Sequence, residues 1–114
     1  MIRMWAVHPK VMCRKHLMEE HNNLHKFVGM INKDTDLSKY REERFLDPKA
    51  LPHRHGLIIK EFQRRGIKHT TPLSSKDINT VKLDWNDTRN KLDSYKDINE
   101  MYDNCKQCRR RIDK

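Results

Sequence analysis

The chain has 114 residues, of which 35% are hydrophobic and 36% charged, and its formal net charge is +9. That balance gives one small core under a heavily charged surface, and with no run of about 18 apolar residues it predicts no membrane-spanning helix. A small basic domain most often meets a polyanion, because neutralising phosphates releases their condensed counterions.

The opening MIRMWAVHPK lacks the apolar centre of an export signal, so a soluble intracellular protein is expected. Residues 2–7 are apolar except for Arg3, and Pro9 stops a helix or strand there. This reads as an extended arm lying against the body, with Trp5 as a packing anchor.

A first long helix is predicted from about Val11 to Asn32. Leu17, Leu24, Val28 and Ile31, with Phe27 beside them, recur at helical spacing. At about 100° per residue, His16, Glu20, Asn23 and Phe27 form a second line along one margin of that stripe. A polar row there is half buried and can build a site, or can simply border the core. Lys33 to Asp47 reads as polar and irregular.

A second helix should begin between Pro48 and Pro52 and end at Arg65-Gly66, because Pro suits a first turn and Gly a left-handed C-terminus. It carries Leu51, His55, Ile58, Ile59 and Phe62. Its Arg64 and Arg65 are candidate phosphate contacts, although cations at a helix C-terminus are also favoured by the dipole alone. Residues from His69 to Asp84 read as loop. A third helix is predicted from about Asn86 to Cys105, with Leu92, Tyr95, Ile98, Met101 or Tyr102, and Cys105 on one face. Arg109 to Arg111 read as an exposed basic tail. The expected fold is an all-α, single-domain three-helix bundle over 1–114 with an extended N-terminal arm, working as a monomer.

Three cysteines without an export signal argue against a disulfide framework. Cys105 and Cys108 form a C-x-x-C, and Cys13 and His16 a C-x-x-H. Together they offer a Cys₃His set for one structural zinc, pinning the third helix to the first; the other reading is three reduced, buried thiols. His21 and His25 are a competing pair, alone on the far edge of the first helix. No nucleophilic-hydrolase pattern, Walker-type loop or H-E-x-x-H occurs. With three glycines, phosphate contacts must come from Arg, Lys and helix ends.

The opening MIRMWAVHPKVMCRKHLMEEHNNLHKFVGMINK and the segment RHGLIIKEFQRRGIKHTTPL resemble the pyrimidine dimer DNA glycosylases, the bacteriophage endonuclease V type. The resemblance rests on Arg3, the MW-x-V-x-P-K start, CRKHL-x-x-EH, F-V-G and RRG-x-x-H-x-x-P-L, over roughly half the chain. It implies a compact helical domain that binds damaged or abasic double-stranded DNA in a bacterial or phage-infected cytoplasm. It also implies glycosylase and AP-lyase chemistry: an N-terminal α-amine attacks the deoxyribose C1′, an imine forms, and β-elimination nicks the strand. An α-amine with a pKa near 8 is partly neutral at pH 7 and can attack.

Carried onto this sequence, the resemblance places the nucleophile at Met1 or Ile2 and the assisting acid at position 23. DNA contacts fall at Arg3, His16, position 22 and Lys26. Here position 23 is Asn23, which cannot exchange a proton as a carboxylate does, and the expected Arg at position 22 is Asn22. Ile2 is bulkier than the small residue expected beside the nucleophile. Glu20 and His16 lie one and two turns earlier and are candidate substitutes. Three readings stand at this point: an active lyase with rearranged acid and base groups, a DNA-binding relative without the chemistry, or an engineered Asn23 that traps a complex. A basic face meeting an acidic partner protein is a fourth.

Overall fold

The structure, a computed structural model, describes residues 2–68 and 92–114. Met1, the predicted 69–84 loop and the first turns of the predicted third helix lie outside the described residues.

Within the described residues the chain is helical with no strand, and it holds five α-helices where three were expected. These are α1 (Arg14–Asn32), α2 (Ser38–Glu42), α3 (Leu51–Arg65), α4 (Ser94–Asn104) and α5 (Lys106–Ile112), with 3-10 turns at Pro9–Val11 and Pro48–Ala50. The first helix starts three residues later than predicted. Pro9 opens a 3-10 turn, and the Cys13 thiol then caps α1 by accepting the His16 N–H. The Lys33–Asp47 stretch is less irregular than expected: α2 lies within it, flanked by buried Leu37 and Leu46.

α3 ends as the sequence predicts. Gly66 takes a left-handed φ of 73°, and the Ile67 N–H returns to the Phe62 carbonyl at 2.8 Å.

The predicted third helix breaks in two. Asp93 caps α4 through the Lys96 N–H, and the Cys105 thiol caps α5 through the Cys108 N–H. Within the described residues α4 begins at Ser94, and its buried line is Asp97 and Met101. Tyr95, expected on the inner face, is 79% exposed. The predicted tail is helical: Arg110 is exposed, Arg109 donates to the Tyr102 carbonyl, and Arg111 to that of Lys10.

α3 packs on α1, and α5 packs on α4 and on the first 3-10 turn. Met4, Leu17, Leu24, Phe27, Leu46, Leu51, Ile58 and Phe62 are wholly buried between these elements. Met4 belongs to the arm, so the arm completes the core instead of merely covering it.

Candidate functional site

Residues 2–6 run without regular hydrogen bonding to one another, so their backbone groups need partners from elsewhere. The Met4 N–H donates to the Phe45 carbonyl at 2.6 Å, and the Trp5 N–H to Glu20 Oε2 at 3.2 Å. The Ala6 N–H donates to Asp97 Oδ2 at 2.9 Å. The Arg3 carbonyl accepts from Asn23 Nδ2 at 3.3 Å, and the Val7 carbonyl from Arg54. Side chains of α1, α3 and α4 thus do what strand neighbours would do in a sheet.

Arg3 is held on three sides. Its guanidinium pairs with Asp97 at 2.7 Å and with Glu100, and lies 3.6 Å from the centre of the Trp5 ring and 4.4 Å from that of Phe45. Only 12% of its side chain is exposed. Burial pushes the Asp97 carboxyl above its ordinary range, and the Ala6 N–H and Arg3 pull it back.

Glu20 is fully enclosed. Arg54 grips it with two hydrogen bonds, Nε to Oε2 at 2.6 Å and Nη2 to Oε1 at 2.7 Å. Burial pushes the Glu20 carboxyl up, opposed by Arg54 and the Trp5 N–H. This carboxylate is enclosed by Arg54 and the Trp5 N–H. Sequence reasoning missed Arg54, Asp97 and Glu100. The pair Asp97 and Glu100, at i and i+3 on α4, was the readable sign of a partner for Arg3.

Arg65 and Arg64 part company. Arg65 is 13% exposed, pairs with Glu61 at 2.6 Å and donates to the carbonyls of Pro9 and Met12, at 3.1 and 2.7 Å. It closes the first 3-10 turn onto α3. Arg64 is 61% exposed and also pairs with Glu61. It lines a groove of about 640 Å³ with Lys10, Val11, Arg111, Ile112 and Lys114. A second groove, of about 510 Å³, is lined by Ile2, Lys26, Gly29, Met30, Lys33 and Tyr40. Asn22 is exposed and Asn23 half-buried on the arm-facing side of α1. The two cation-edged grooves lie at opposite ends of α1, which at 1.5 Å per residue is roughly 28 Å long.

Cys13, His16, Cys105 and Cys108 converge, as their spacing predicts. Cys13 Sγ lies 3.1 Å from His16 Nδ1 and 3.9 Å from Cys105 Sγ, and Cys108 Sγ lies 3.5 Å from His16 Nδ1. A tetrahedral zinc, with Zn–S of about 2.3 Å and Zn–N of about 2.0 Å, requires S···S near about 3.8 Å and S···N near about 3.5 Å. The donor set fits. All three cysteines are free of disulfides, and each C-x-x-[CH] motif opens a helix with its first sulfur as the cap. The Cys13 N–H points at Cys108 Sγ at 3.2 Å.

Burial pushes the Cys108 thiol up to about 12. Burial also raises Cys105, but the N–H groups of Cys108 and Gln107 and the neighbouring thiols bring it below its ordinary value. Burial holds His16 below its ordinary value, which favours the neutral ring that can ligate a metal. A divalent cation would supply the charge that lets these crowded thiols ionise together.

A family model for pyrimidine dimer DNA glycosylase matches residues 2–75. The chain belongs to that family. Neither a curated protein nor a solved structure matches it. The match spans the arm, α1, α2 and α3. The glycosylase family's region thus carries the arm and the Lys26 groove, whereas Asp97, Glu100, Cys105 and Cys108, which fasten that arm and complete the cysteine cluster, fall after it. No helix among the described residues is long and apolar enough to cross a membrane.

Proposed function

We propose that the protein is a monomeric DNA-lesion enzyme whose N-terminal amine attacks the deoxyribose C1′, displacing the damaged base or, at an abasic site, losing water, to form an imine, after which β-elimination breaks the 3′ C–O bond and nicks the strand slowly. The observation that carries this reading is the groove at the head of the arm. Ile2 lines it together with Lys26, Lys33 and Tyr40, which joins the residue next to the amine to cations for phosphates and an aromatic ring for an unstacked base. Lys10, Arg64, Arg111 and Lys114 extend the contact to phosphates at the other end of α1. Glu20 and Arg3 serve by fixing the arm, since their charges are already answered by Arg54, Asp97 and Glu100.

Asn23 sets the rate. An amine can form the imine without a neighbouring carboxylate, but a placed general acid or base contributes typically about 10²–10⁴-fold. Borohydride reduction in the presence of abasic duplex should therefore trap a covalent adduct, while multiple-turnover nicking stays slow. Asn23→Glu should raise nicking by about 10²-fold or more. Absence of any adduct at protein concentrations that saturate the DNA would remove the proposal.

The second reading, a damaged-DNA binder without chemistry, is favoured by the bond from Asn23 Nδ2 to the Arg3 carbonyl, which gives Asn23 a purely structural task. Tight, salt-sensitive binding to abasic duplex with neither adduct nor nicking, in both the natural chain and Asn23→Glu, would establish it.

A further inference from the structure

His21 and His25 are not alone on the far edge of α1, as their spacing had implied. His55 of α3 joins them, and one ligand nitrogen from each of the three lies within 4.8 Å of the others. The ring centres are 4.8 Å apart for His21 and His25, 5.0 Å for His21 and His55, and 5.3 Å for His25 and His55. A tetrahedral metal at about 2.0 Å from each imidazole nitrogen requires ring centres about 5.2 Å apart. The three separations bracket that value.

The surroundings suit a cation of borderline softness. His21 and His55 are buried, and Phe62 packs against His21 with ring centres 5.4 Å apart. His25 is half-buried, so the cluster reaches solvent on its side. A neutral imidazole is the form that binds metal.

We propose that His21, His25 and His55 form a second metal site, which takes a zinc-class divalent cation with three imidazole nitrogens and a water molecule as ligands. It is separate from the cysteine cluster. His21 lies five residues beyond His16, roughly 140° around α1, and its third ligand comes from α3 instead of α5. The cation ties α1 to α3 on the margin opposite the arm, and the exposed side of His25 leaves its water ligand in contact with solvent.

Cobalt(II) titration of the metal-free full chain, read by native mass spectrometry and visible absorption, tests this. The cysteine cluster must show thiolate-to-cobalt charge transfer, whereas a site of nitrogen and oxygen ligands shows only weak d–d bands. The expected result is two cobalt ions per chain, with His25→Ala losing one ion and keeping the thiolate band. Cys105→Ser should still bind one ion, without that band. His25 is half-buried, so the variant should fold, and unchanged far-UV circular dichroism would verify it. Should the Cys₃His site bind nothing, a single ion without thiolate absorption, lost in His25→Ala, still supports the proposal. A single ion with the thiolate band, unaffected by His25→Ala, would overturn it.

Discussion

Replacing Arg54 with methionine should cost about 4 kcal/mol of folding stability. The guanidinium supplies two of the three hydrogen bonds on the enclosed Glu20 carboxylate and a further one to the Val7 carbonyl. Removing one partner of a buried ion pair costs about 3–5 kcal/mol, because the other charge stays out of water with too few donors. The abandoned Val7 carbonyl adds about 1 kcal/mol, and the packing of the methionine returns part of it.

A domain of this size holds only about 5–15 kcal/mol in total, so the urea midpoint should fall by roughly 2 M at an m-value near about 2 kcal/mol/M. Glu20→Met in the Arg54→Met background should recover part of the lost stability, since an apolar pair of similar volume avoids the stranded charge; the Trp5 N–H and the Val7 carbonyl then lack partners, at about 1–3 kcal/mol each. Glu20→Gln should lower the midpoint while leaving borohydride trapping per folded molecule unchanged. A loss below about 1.5 kcal/mol for Arg54→Met, or a double variant as weak as the sum of its singles, would refute the buried-pair argument. A collapse of trapping in folded Glu20→Gln would return Glu20 to the chemistry.

Glu61 predicts an acid limb in stability. Arg64, opposed by burial and joined by Arg65, holds it at about 2 against an ordinary 4.5. A lowered carboxyl stabilises the fold above the unfolded value, so this contribution is present above about pH 4.5 and lost as pH falls towards 2. At full strength it is about 3 kcal/mol, and screening at the exposed Arg64 leaves about 1–2 kcal/mol; Glu61→Gln should flatten urea midpoints across that window. Arg64→Ala should reduce the salt slope of DNA binding by about one at all sequences, measured by fluorescence anisotropy, whereas Arg65→Ala should mainly lower stability. Chelation of zinc-loaded protein should lower Tm and release α5 from α1, seen as faster amide exchange over 105–112, and Cys108→Ser should do the same without chelator.

Much of this arrangement is readable from residue pattern alone. The 3.6-residue stripe of α1, the Pro and Gly bounding α3, and the paired C-x-x-[CH] motifs are local signals, and each element they specify is present. What escaped has non-local causes. Cys105 reads as the last inward residue of one long helix, but its sulfur caps the next helix, which breaks the chain at Asn104. Arg3 and Arg65 read as phosphate contacts because their partners stand 94 and 53 residues away. His55 reads as one more core position of α3, and its meeting with His21 and His25 appears only when α3 is laid on α1. Arg54, beside it, gave no sign that it would answer Glu20.

Part of the arm is fastened by α4 and α5. Arg3 and Ala6 wait for Asp97, and Cys13 waits for Cys108, across 91 to 95 positions of sequence. A ribosome adding about 5–20 residues per second reaches those partners only about 5–20 seconds after the arm is made. Throughout that interval the Arg3 guanidinium and the Ala6 N–H lack their α4 partners, while the Met4 and Trp5 N–H groups have theirs at Phe45 and Glu20. The nascent arm is therefore held only in part until residues 97–108 have emerged, and a truncation before Asp97 would loosen the arm as well as remove the second half of the cysteine cluster.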